Sequence, residues 1–163
     1  MKILSMKTTI FLGAMLSLLV CLMFTGCSNS ETNSTSRGLT DFAHIEEEYL
    51  ATIDSLNWPD GITLPDKLED EDTGASFQVG YGETRAYSLW EYSWMKLWLD
   101  TYNTDPERAE KALEELEKAF DMPYMGIDRC DDATRNYLRE NIDKAKLGDP
   151  SGFTESIRAN YAN

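Results

Sequence analysis

The chain has 163 residues, with 15 lysines and arginines against 29 aspartates and glutamates, a formal charge of −14. That balance argues against nucleic acid, because phosphate binding needs a basic footprint. It permits cationic partners or metal ions, although solubility alone accounts for an acidic surface. One histidine, His44, leaves little material for a Ser-His-Asp triad or a zinc-histidine centre.

Residues 1–27 are the most distinctive segment. Lys2 and Lys7 give a positive start, residues 10–24 are apolar apart from Ser17, and Thr25 and Gly26 lead into Cys27. That order is the pattern of a secretory signal. The apolar run is shorter than the roughly 20 residues of a spanning helix, which favours a cleaved signal over the alternative of an uncleaved membrane helix. The ending Phe24-Thr25-Gly26-Cys27 resembles the lipobox of bacterial lipoproteins. The resemblance implies removal of residues 1–26, diacylation of Cys27 and attachment to the outer face of the cell membrane. Two acyl chains suit a stable anchor, since one holds only marginally.

Cleavage there removes Lys2 and Lys7 and no acid, leaving 13 basic against 29 acidic side chains. About 137 residues remain, enough for one domain with a real core. Residues 27–38 (CSNSETNSTSRG) are almost wholly polar after the cysteine and read as a tether. The folded domain is expected over residues 39–163. Of the three cysteines, Cys21 lies in the signal and Cys27 carries the lipid, so Cys130 has no internal disulfide partner. Its neighbours Asp128, Asp131 and Asp132 would raise its pKa, and a structural cysteine, or pairing between chains, is the expectation.

Residues 39–57 read as a helix, with Phe42, Ile45, Tyr49, Ile53 and Leu56 forming one apolar stripe. Trp58-Pro59-Asp60-Gly61 suggests a type I turn with proline second. Residues 66–82 carry an acidic run, Glu69-Asp70-Glu71-Asp72, followed by Gly74, Gly80 and Gly82. Counted from Asp70 as an EF-hand loop, Gly74, Ala75 and Tyr81 fall where a ligand, a glycine and a glutamate are required, so the match fails. Phe77-Gln78-Val79 could be a short strand, but no partner is visible and a loop is expected. Gly80-Tyr81-Gly82-Glu83-Thr84 lacks the lysine-serine ending of a phosphate loop.

Residues 83–102 read as an aromatic helix, apolar almost all round, which belongs at the centre of a bundle. Trp90, Glu91 and Trp94 on this helix are the ligand-binding candidates, as an aromatic platform or pocket with a carboxylate. Helical spacing favours core packing for the tryptophans. A buried Glu91 would need a partner such as Arg85.

Thr104-Asp105-Pro106-Glu107 has the spacing of a capping box with proline in the first turn. Ala109, Ala112, Leu113, Leu116, Ala119 and Phe120 form the next buried stripe, with Glu107–Lys111 and Glu114–Lys118 pairs on the wet side. Residues 122–127 form an apolar connection that packs over the bundle end or docks a partner. Residues 131–147 read as a helix closed by Gly148, and Asp149-Pro150 starts a short last one.

The expectation is an all-α domain of four to five helices with one long acidic, glycine-containing loop. Two function classes stay open: a non-enzymatic envelope lipoprotein that binds a protein or small ligand, and a lipid-anchored enzyme using carboxylates, for example on cell-wall glycans. No catalytic residue, metal or cofactor is singled out by the sequence.

Overall fold

The computed structural model describes residues 38–69 and 71–161. Residues 1–37, Asp70 and the last two residues lie outside them, and with them the expected signal segment, Cys27 and nearly all of the expected tether. Over the described residues the fold is a small helical bundle of five α-helices with a two-stranded ladder at its edge. The helices are α1 (Phe42–Ser55), α2 (Tyr81–Thr101), α3 (Pro106–Glu117), α4 (Asp132–Lys146) and α5 (Ser151–Asn160). Two 3₁₀ turns, Lys118–Asp121 and Pro123–Met125, lead from α3 towards α4.

The aromatic pattern of α2 places it centrally, packed against α1, α3 and α5. Trp90 and Trp94 are fully enclosed, and Trp98 stacks on Tyr102 while meeting Phe153 of α5 edge-on. Enclosed indole N–H groups need acceptors. Both Nε1 atoms donate to one carbonyl, that of Asn57, at 2.8 and 3.2 Å. The Asn57 side chain in turn donates to Glu115 of α3 at 2.8 Å. The segment after α1 is therefore pinned to the middle of α2 and the last turn of α3.

The starts of α1 to α4 each have an electrostatic reason. Asp41, Asp105 and Asp131 cap α1, α3 and α4, each accepting a backbone N–H three residues on. The cap of α3 is thus Asp105 and not Thr104, because Pro106 takes the first helical position and leaves its predecessor as the cap. Gly80, which precedes α2, brings no side chain, and Glu48 of α1 supplies the cap in trans. Its two carboxylate oxygens accept from the Gly80 and Gly82 N–H groups at 2.7 and 3.2 Å. Gly82 also allows a close approach of α1 to α2: a Cβ there would stand 1.8 Å from the Ile45 carbonyl oxygen.

Two local readings are corrected. Phe77–Gln78 is a strand (β2), paired antiparallel with Leu39–Thr40 (β1), so the first helix begins at Phe42 rather than at residue 39. Val79 N–H extends this ladder to the Gly38 carbonyl at 3.0 Å. The partner was invisible locally because it lies across the whole of α1. The turn after α1 runs from Pro59 to Ile62, with Gly61 at φ 82°, so proline comes first rather than second. A left-handed position falls to the residue that tolerates it.

Candidate functional site

The sequence candidates lie on two faces of α2, Trp90 and Trp94 on one and Glu91 about 100° around from Trp90. Trp90 and Trp94 point into the core, against the Asn57 carbonyl, and offer no exposed face for stacking. Glu91 turns away from them into a cleft of about 550 Å³. This cleft is bounded by α2, the Pro123–Met125 turn, the start of α4 and the end of α5. Its volume is that of a small-molecule pocket.

Glu91 is half-buried, and burial is the dominant influence on it, pushing its pKa up to about 7. A hydrogen bond from the Tyr124 hydroxyl to Oε1, at 2.5 Å, acts in the opposite direction and only partly offsets this. Among the described residues Glu91 makes no ion pair. The expected partner Arg85 instead meets Glu71 at 3.3 Å. The helix itself contributes to the difference, since Arg85 and Glu91 are six residues and about 120° apart around α2. Tyr124 arrives from 33 residues downstream, held by stacking of its ring on Tyr87 at 4.3 Å.

The other walls are set by similar local devices. Tyr161, at the end of α5, donates its hydroxyl to the Ser88 carbonyl at 2.9 Å and tilts against Tyr92. Burial raises the pKa of both Tyr124 and Tyr161, with the Glu91 charge adding to it, so these phenols keep their protons. Arg129 pairs with Glu83 at 2.5 Å on the rim. Arg135 of α4 donates to the Met125 and Cys130 carbonyls and so clamps the connection that carries Tyr124. Nothing in the sequence pattern marks Arg135 or Tyr124 for these duties; both act on residues that only the fold brings near.

Two further groups in the cleft bear on chemistry. Cys130 has its pKa raised, by burial first, with Asp131 and Glu91 adding and Arg135 opposing, and its thiol lies 3.5 Å from the Met125 sulfur. Asp131 lines the same cleft but is engaged as the α4 cap, its Oδ1 accepting from Thr134 N–H at 2.7 Å. The α4 amides hold its pKa low. The cleft therefore contains one carboxyl that protonates near neutrality and one that stays ionised in a structural role.

No family model, curated protein or solved structure matches the chain.

The remaining candidates are placed elsewhere. In the acidic loop, Glu69 pairs with Lys67, Glu71 accepts from the Tyr81 hydroxyl, and Asp72 accepts from Gly74 N–H. Among the described residues, no three histidine, cysteine or carboxylate side chains gather as a metal site. The Gly80-Tyr81-Gly82 amides, which a phosphate would require, are taken by Glu48. In the connection before α4, Met125 is buried and Met122 and Tyr124 pack on the core, leaving Ile127 exposed. Among the described residues, no helix is long and apolar enough to cross a membrane.

Proposed function

We propose that this protein is a lipid-anchored, extracytoplasmic envelope protein whose helical domain binds a small ligand or an envelope protein through the Glu91 cleft. The address rests on the lipobox-like Phe24-Thr25-Gly26-Cys27, which implies a diacylglyceryl group on Cys27 as the membrane contact. The single observation that carries the binding role is Glu91 itself. A carboxyl with one phenolic donor and no cationic partner among the described residues is costly to bury, and it opens on a ligand-sized cleft. Binding is preferred to catalysis because the second carboxylate of the cleft, Asp131, is engaged as a helix cap.

A carboxylate enzyme acting on glycans is the second reading, favoured by a Glu91 that can hold a proton at neutral pH. Two measurements test the proposal. The mass of the protein isolated from bacterial membranes should correspond to residues 27–163 plus a diacylglyceryl group, and the Cys27→Ala variant should leave the membrane fraction. An intact Met1 or an unmodified Cys27 sinks the anchor. Release of products from cell-wall glycan fragments by the wild type, lost in Glu91→Gln, replaces the binding role with hydrolysis.

A further inference from the structure

The Glu91 cleft has a polarity that discriminates among ligands. Among the described residues Glu91 Oε1 accepts from the Tyr124 hydroxyl, and no cationic side chain pairs with the carboxylate. The two guanidinium groups on the rim are already engaged, Arg85 with Glu71 and Arg129 with Glu83. Tyr124, Tyr137 and Tyr161 contribute aromatic wall, and Met95 and Leu138 contribute apolar wall. An anion placed here meets Glu91. A wholly apolar molecule leaves a desolvated carboxyl with a single donor. A cation resolves both conflicts. An ammonium group brings three N–H donors and a charge opposite to that of Glu91, and phenol rings tolerate a cation on their faces.

We infer that the cleft is a receptor site for a primary ammonium on a short apolar tail, with the ammonium paired to Glu91 and the tail against Met95 and Leu138. This rests on the cleft being the binding site, as proposed above. The strongly acidic chain supports it at long range, because a negative field concentrates small cations.

Binding must also move a proton. Near pH 7 about half of the Glu91 carboxyls are protonated, and an ammonium pairs only with the ionised form. The other groups facing the cleft do not confuse this signal. On α2 they are Arg85, and Glu83 through its pair with Arg129; from the 3₁₀ turn comes Tyr124; before and on α4 stand Cys130, Asp131 and Tyr137; from α5 comes Tyr161. The Tyr124 and Tyr161 phenols and the Cys130 thiol are all pushed upward, and Asp131 is held down. His44, the one histidine, lies on α1 beside Glu48 and not in the cleft.

The test is calorimetric titration of the detergent-extracted full chain with n-butylammonium, using 1-butanol as its neutral counterpart. Titrations run at pH 6, 7 and 8, in two buffers of different ionisation enthalpy. Butylammonium should bind roughly ten times more tightly at pH 8 than at pH 6 and release about half a proton at pH 7. The Glu91→Gln variant should lose this affinity and the proton release. Proton release by the wild type stands alone as a readout if that variant does not fold. Equal affinity for butanol and butylammonium, or undiminished binding by a folded Glu91→Gln, overturns the ammonium inference and leaves the cleft as a binding site. No saturable heat from either probe overturns the ammonium inference alone, since the binding role proposed above also admits a protein ligand.

Discussion

Glu91 is a residue the fold tolerates at a cost, and the cost depends on pH. Its pKa is about 7 in the folded chain against an ordinary 4.5, so between these values the folded form holds a proton that the unfolded form has lost. Raising the pH through that interval therefore favours unfolding. The penalty is absent below about pH 4.5 and complete above about pH 7, with an upper bound on the order of 3 kcal/mol. Glu91→Gln keeps an oxygen that can accept from Tyr124 and carries no charge. The expected outcome is that wild type loses stability relative to this variant between pH 5 and 8, read as diverging urea midpoints. Parallel midpoints across that range contradict the account. The sequence made Glu91 conspicuous as a lone acid among aromatic positions. Its partner was not readable, because Tyr124 is brought to it by a turn after α3 and not by helix periodicity.

At the scale of elements, the crossing of α1 and α2 depends on one missing side chain. Gly82→Ala drives a Cβ into the Ile45 carbonyl and disturbs the amides that Glu48 caps. The substitution should cost about 3 kcal/mol or more, as overpacking against backbone has nowhere to relax. Gly148 offers the comparison: its φ is 80° and nothing stands within 4 Å of an added Cβ. There an alanine should cost only about 1–2 kcal/mol, from the left-handed backbone alone. Chemical denaturation of the two variants checks the order, and a milder effect at Gly82 contradicts the close crossing. Helix positions were largely legible, because apolar spacing and acidic caps are local signals. The β1–β2 pairing, the cap in trans from Glu48 and the Asn57 carbonyl shared by two indoles were not. Each joins residues more than 30 positions apart, where no periodicity carries the information.

At the scale of the whole molecule, the acidic excess of the sequence opposes compactness through self-repulsion. Most ion pairs of the domain are at least partly exposed and contribute little each. Adding sodium chloride from about 10 mM to 300 mM should therefore raise the melting temperature, because screening relieves more repulsion than it weakens attraction. A fall in melting temperature over that range means the surface pairs outweigh the net charge. The all-α class followed from the sequence for the same reason that the cleft did not. A bundle is specified by stripes along each helix, whereas a cleft is specified by where several helix ends meet.

The short ladder at the start of the domain has a mechanical consequence. Any tension arriving along the chain from its N-terminal side enters at Gly38 and passes first into β1. The Val79–Gly38 and β1–β2 hydrogen bonds take that load before it reaches α1, whose first turn follows directly at Phe42. Because β2 leads almost at once into α2, the ladder hands the load to the central helix of the bundle rather than to α1 alone. Two residues of strand thus serve as a strain relief, protecting the apolar contacts of α1 from being peeled away one turn at a time.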